Sequence, residues 1–328
     1  MEKILFLSFA ISFFTTLLVI PYWIKRAKKA NLLGIDMNKH KKTEVAEMGG
    51  IIVILGFIFG VLYYIALRTF YFSFDKTTLP ILAAITTVLI ITLVGVIDDL
   101  LGWKIGLRQY QKPILTLIAA LPIMVINVGH TEMLLPIIGL VDFGLVYPLI
   151  IIPIGIVGAS NGFNMLAGYN GLESGMGVII LSTLGFVAWQ NNLGWVSIIA
   201  FCMVFSLLAF LIYNKYPSKI FPGDSLTYSV GALIAIIAIL GNMEKIALIL
   251  FIPYFIEFIL KARGKMQKES FAKPDEDDSL TLRYNKVYGL EHVMVLIWNK
   301  IRGKCFERDV VYSLYLIEII LAAVVLFI

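Results

Sequence analysis

The chain has 328 residues, 59% of them hydrophobic and only 15% charged, with 27 Lys and Arg against 22 Asp and Glu. A soluble globular domain carries about 25% charged residues, so this composition excludes one. Its long apolar runs do not alternate in polarity, which excludes a β-barrel and leaves membrane-spanning helices. Ten spans are predicted, over residues 4–24, 48–67, 78–97, 111–128, 145–160, 172–190, 194–213, 226–241, 243–262 and 309–328. The first is followed by Lys25, Arg26, Lys28 and Lys29, with no small-residue cleavage pattern, which predicts a retained anchor. Between spans four and five, MLLPIIGLVDFGLVYP (133–148) is broken by Pro, Gly and Asp and reads as a small external hairpin or re-entrant piece. Residues 263–308 form the one long loop; within it, LEHVMVLIWNKI (290–301) has the spacing of an amphipathic surface helix. Cys202 in an apolar run and Cys305 in a basic segment are expected at different depths and unpaired. The fold class is therefore all-α: a polytopic membrane protein, one domain over 1–328, with no internal repeat.

Orientation follows from the basic residues. The odd-numbered loops hold 23 of the 27 Lys and Arg; the even-numbered loops hold Arg68, Lys76 and Lys245, and Lys3 precedes the first span. This asymmetry puts the odd loops in the cytoplasm and both termini outside. The net charge of +5 is thus a topology signal, and no nucleic-acid partner is expected.

The conspicuous polar residues all fall at odd loops, on that one face. Glu47 opens span two, Asp98 and Asp99 end span three, Lys112 opens span four, Asp224 opens span eight in FPGD, and Arg263 and Lys265 begin the long loop. Each has a bland reading: a solvated helix end for the acid pair, an interface anchor for Lys112, a helix cap for Asp224, topology signals for the loop cations. The segment NGFNMLAGYNGLESG (161–175) between spans five and six is harder to dismiss. A turn needs one or two Asn or Gly; this stretch has Asn161, Asn164, Asn170 and four glycines, and no Lys or Arg. Taken together, carboxylates and an amide oxygen suit Mg²⁺ shared with substrate phosphates, cations suit phosphate oxygens, and glycines admit close backbone approach to an anion. The three histidines, His40, His130 and His292, are scattered, and there is no Walker A or dinucleotide fingerprint. The pattern points to Mg²⁺-assisted phosphate transfer at the cytoplasmic membrane surface.

The strings DMNK (36–39), EMGG (47–50), GVIDDLLGW (95–103), NMLAGYNGLESG (164–175) and FPGDSLTYSVGAL (221–233) resemble those of the polyprenyl-phosphate N-acetylhexosamine-1-phosphate transferases. The resemblance runs over roughly residues 1–265 and is greatest to the UDP-GlcNAc:dolichyl-phosphate branch of archaea and eukaryotes; the His-rich motif of the bacterial branches has no match. It implies transfer of GlcNAc-1-phosphate from UDP-GlcNAc to dolichyl or another polyprenyl phosphate, with release of UMP and Mg²⁺ as cofactor. It implies Asn164 and Asp224 as metal ligands, Asn170 as a uridine contact, and Met37 and Glu47 as nucleotide-pocket positions. Lys112 matches a phosphate-binding lysine; four extra residues after Asp99 leave Arg108 as the alternative. Arg263 and Lys265 resemble an Arg-x-Arg element that grips diphosphate and sugar, with Lys in place of the second Arg. Asp98 is the candidate base and Asp99 is expected to orient Lys112, with Glu173 positioning the loop and Asn161 nearby or on the lipid phosphate. A homodimer is among the assemblies the resemblance allows. The alternatives are the same reaction with another UDP-HexNAc or undecaprenyl phosphate and, in a different class, a transporter or flippase with polar residues at mid-span.

Overall fold

A computed structural model describes residues 6–71, 77–108, 110–127, 131–135 and 138–327; Lys3, Lys76 and His130 lie outside the described residues. Helix α1 (Leu7–Lys29) ends on a basic last turn and gives way to a left-handed Asn31. A short antiparallel ribbon follows, β1 (Leu33–Ile35) against β2 (Glu44–Ala46), in the register Leu33 to Ala46 and Ile35 to Glu44. Helix α2 (Gly50–Phe70) packs on α1 through Gly56 and Gly60, one turn apart, which face Ser8, Ser12 and Thr16. A Cβ at Gly60 would stand 2.7 Å from the Ser8 carbonyl oxygen, so only glycine permits this approach; such small-residue seams replace the hydrophobic drive that lipid does not supply.

Helix α3 (Thr78–Ile105) is apolar until it reaches Asp98 and Asp99 and breaks at Gly102, where φ is 73°. The fourth predicted span is two pieces, α4 (Gln111–Ala119) and α5 (Leu121–Val125), and the ninth is also two, α10 (Glu244–Leu250) and α11 (Ile252–Arg263). Pro122 and Pro253 stand in the first turn of the second piece of each pair. A proline has no N–H to donate and collides with the turn before it, so each run is split where hydropathy alone reads through. The predicted hairpin is present as β3 (Glu132–Leu135) paired with β4 (Gly139–Asp142). A π-helical turn (Tyr147–Ile151) leads into α6 (Ile152–Met165), followed by α7 (Leu172–Gln190), α8 (Gly194–Asn214) and α9 (Asp224–Gly241). Helix α9 is the hub. It packs against α3 and α6, and every residue from Ser225 to Gly241 is buried.

The long loop folds back on the bundle. It contains the two-residue ribbon β5 (Lys273–Pro274) with β6 (Leu280–Thr281), then the predicted amphipathic helix, α12 (Leu290–Arg302). One face of α12 is buried toward α11, β6 and the last helix, α13 (Glu307–Leu326), while Leu296, Ile297 and Ile301 stay exposed. Eight of the described helices are long and apolar enough to cross a membrane. The chain is an all-α, multi-pass membrane protein, and Cys202 and Cys305 are both buried free thiols.

Candidate active site

The strand-like segment before α9 fixes the site. The Phe221 N–H donates to the Ala46 carbonyl at 2.7 Å, and Gly49 and Gly50 donate to Phe221 and Pro222 at 2.9 and 2.8 Å. These bonds stitch the start of α2 to the approach to α9. The turn is completed by Gly223 at φ 71°, where a side chain would also run into the Asp99 carboxylate, 2.5 Å from the Cβ position. Asp99 can therefore reach the open helix end. It accepts the Asp224 N–H at 2.7 Å and the Ser225 N–H at 3.1 Å, which satisfies two of the donors a helix N-terminus leaves free. Asp224 opens this helix, as expected, but it is Asp99 from α3 that caps it. This corrects the expectation that Asp99 orients Lys112.

Lys112 is held by the other two acids. Its Nζ lies 2.5 Å from Asp98 Oδ2 and 3.1 Å from Asp224 Oδ2, with the Tyr228 ring centroid at 5.7 Å. Asp98 Oδ1 in turn accepts the Leu107 N–H at 2.7 Å, so it anchors the segment past the Gly102 break. Arg108, the alternative phosphate-binding cation, is exposed and donates to Tyr110 at 3.4 Å; the structure puts Lys112 in the acid cluster. Glu47 faces the same region: burial first, then the Asp99 charge, raise its carboxyl above the ordinary value.

Asn161 and Asn164 are not in a loop. Helix α6 continues through Met165, so they share its last turns, and its packing on α9 brings Asn164 to Thr227. The Thr227 hydroxyl donates to Asn164 Oδ1 at 2.8 Å and lies 3.3 Å from the Asp224 carbonyl. Asn161 donates to Thr116 Oγ1 at 3.1 Å and to the Val157 carbonyl at 2.8 Å, and Thr116 bonds the Lys112 carbonyl at 3.0 Å. It thus braces the helix that carries Lys112. Asn164 and Asp224 offer one amide oxygen and one carboxylate beside two further acids and a single lysine. Among the described residues no three His, Cys, Asp or Glu side chains are grouped to enclose a metal. That donor set fits Mg²⁺, which takes few protein ligands and completes its shell with phosphates and water.

A second buried group lies where the 166–171 loop meets the β1–β2 ribbon and α13. Glu173, at the start of α7, accepts the Gly168 N–H at 2.7 Å and so does position this loop, while Asn38 donates to the Gly168 carbonyl at 3.0 Å. Asn170 is gripped by Asp36 and Glu307, and Lys39 pairs with Glu307 at 2.8 Å. Burial works against the Lys39 ammonium, but Glu307 outweighs it and holds the lysine above its ordinary pKa. Met37 sits half-buried between Asp36 and Asn38. Arg263 and Lys265 are exposed at the end of α11 and form no ion pair among the described residues; the structure does not bring them into either cluster. Glu307 and Thr227 were missed as site residues. Glu307 carries only the signal of an acid opening a helix, the usual dipole-favoured placement; nothing in the sequence couples it to Asn170.

A family profile described as glycosyl transferase family 4 matches residues 81–242. The chain is 38% identical over 320 residues, 97% of its own length and 94% of the relative's, to a Saccharolobus solfataricus protein named "Putative UDP-N-acetylglucosamine–dolichyl-phosphate N-acetylglucosaminephosphotransferase". It is 31% identical over 77% of its length, and 70% of the relative's, to the UDP-N-acetylglucosamine–dolichyl-phosphate N-acetylglucosaminephosphotransferase of Dictyostelium discoideum. It is also 31% identical over 81% of its length, and 86% of the relative's, to the phospho-N-acetylmuramoyl-pentapeptide-transferase of Halalkalibacterium halodurans.

Proposed function

The chain belongs to glycosyl transferase family 4, and on that premise we propose that it transfers N-acetylglucosamine-1-phosphate from UDP-N-acetylglucosamine to dolichyl or a related polyprenyl phosphate. UMP is released, and the lipid diphosphate sugar begins a lipid-linked oligosaccharide. The observation that carries the reading is Lys112 seated between Asp98 and Asp224 at the N-terminus of α9, beside Asn164. A lysine placed there meets phosphate oxygens, and the carboxylates around it call for a second cation.

A lipid phosphate oxygen attacks the β-phosphorus of the nucleotide sugar; a new P–O bond forms there as the bond to the bridging α–β oxygen breaks and UMP leaves. The acceptor's second pKa is about 6, so near neutral pH it is already a nucleophilic anion and needs no strong base. Asp98, ion-paired to Lys112, then acts chiefly by fixing that ammonium against the charge that moves during transfer. Asp99 holds the α9 N-terminus still, and Glu173 and Glu307 set the loop beneath the nucleotide. Bound at Asn164 and Asp224, Mg²⁺ supplies the positive charge that a diphosphate demands. In this reading α4–α5 and α10–α11 are broken spans that complete a set of ten, and the basic loops and the site face the cytoplasm.

The test is UMP release by the purified protein in detergent with UDP-N-acetylglucosamine and dolichyl phosphate, with Mg²⁺ and with EDTA. Release is expected to require lipid and metal and to fall at least ~10²-fold in Asp224→Ala, the scale of losing one charge-stabilising group. Absence of UMP with every UDP-HexNAc and polyprenyl phosphate tried would overturn the proposal.

A further inference from the structure

Asn170 carries a carboxamide, which presents a donor at one end and an acceptor at the other. Which end a ligand meets depends on what holds the group. Here the amide nitrogen lies 2.9 Å from Asp36 Oδ2 and 3.3 Å from Glu307 Oε2, and the Asn170 backbone N–H donates to Glu307 Oε1 at 2.7 Å. An ionised carboxylate only accepts, so two acids on one side allow a single amide orientation, the hydrogen-bond network itself deciding the flip. Glu307 is in turn fixed from behind. Lys39 pairs with it at 2.8 Å, and the Lys39 ammonium stands 3.6 Å from the Tyr216 ring centroid, with the Arg308 guanidinium at 5.1 Å on the same ring. Both hydrogens of the amide are engaged by this frame; its oxygen takes no donor among the described residues.

We propose that Glu307 and Asp36 are positioning residues that lock Asn170 with its carboxamide oxygen presented to the base of the nucleotide sugar, and that this lock selects uridine over cytidine donors. The chemistry is direct. Uracil offers an N–H donor at N3, where cytosine offers only a lone pair. A fixed acceptor meets the first with a hydrogen bond and the second with repulsion, whereas a free carboxamide flips and serves either. A site built to hydrogen-bond one partner rejects the analogue that lacks it far more strongly than an apolar pocket does. The inference rests on the reading that Asn170 lies against the base.

The experiment measures UMP and CMP affinities by calorimetry on the full-length protein in detergent with Mg²⁺, for wild type, Glu307→Gln, Asp36→Asn and Asn170→Ala, with Tm recorded for each. Wild type is expected to prefer UMP. Glu307→Gln and Asp36→Asn each give Asn170 a group that can donate, and each is expected to narrow the UMP/CMP ratio about tenfold, equivalent to ~1.4 kcal/mol. A merely structural role would weaken both nucleotides alike and leave the ratio where it was. If one variant does not fold, the other carries the test. A folded Glu307→Gln or Asp36→Asn that keeps the wild-type ratio, while Asn170→Ala loses it, overturns the lock. If Asn170→Ala also keeps the ratio, Asn170 does not read the base and the underlying pocket assignment fails with it.

Discussion

Two adjacent aspartates at the end of α3 do different work because successive side chains on a helix point about 100° apart. Asp98 turns to Lys112, and Asp99 turns to the backbone of α9. Asp99→Ala is expected to remove charge-assisted bonds worth about 2 kcal/mol, to lower Tm and to loosen Asp224. Asp98→Asn is expected to keep Tm nearly unchanged and to lower turnover at every pH by releasing one side of Lys112. The pH–rate profile separates the roles: if the acidic limb of the profile disappears in Asp98→Asn, Asp98 is the base; if the limb persists on a lowered curve, it positions. The gathering of these residue types was readable from the sequence: acids, amides and one lysine fall on one face, and the structure brings Asp98, Asp224 and Lys112 together. The pairings were not, because Asp99 meets Asp224 across 125 positions and Asn170 meets Glu307 across 137, and no local pattern records such distances.

At the level of elements, hydropathy located every long helix but placed Asn161 and Asn164 in a loop, because Asn and Gly lower helix propensity. Packing of α6 on α9 overrides that preference and carries the helix to Met165. The amphipathic spacing of α12 was equally legible; what its inner face covers was not. Glu291 on that face is fully buried beside Glu257, and burial, then that second carboxylate, raise its pKa well above the ordinary value. Folding therefore favours its protonated form. The contribution of Glu291 is fully present below the unfolded carboxylate range, about 4.3, and is lost as pH rises through the folded value. Glu291→Gln, neutral at all pH, is expected to flatten the fall of Tm on the alkaline side. Parallel Tm curves for the two proteins from pH 4 to 9 would refute it.

For the whole molecule, the asymmetry of Lys and Arg predicts an orientation that can be tested directly. Cys202 and Cys305 are buried, so the native background for a membrane-impermeant maleimide is low. In intact cells Asn191→Cys, exposed in the α7–α8 turn, is expected to label from outside, and Glu276→Cys, exposed in the 263–308 loop, only after permeabilisation. The reverse pattern would invert the topology and put the site on the other face. The burial of the apolar helices within the chain also differs sharply. The most apolar window of α1 is 28% buried and that of α13 33%, against 94% for α9. A bilayer that thins or thickens acts on the helices it touches, by tilting them. The outer helices bear that load, while Asp224 stands at the head of a helix with almost no lipid face. Changes in membrane thickness are thus spent at the rim of the bundle, and the reacting groups are carried on a column insulated from them.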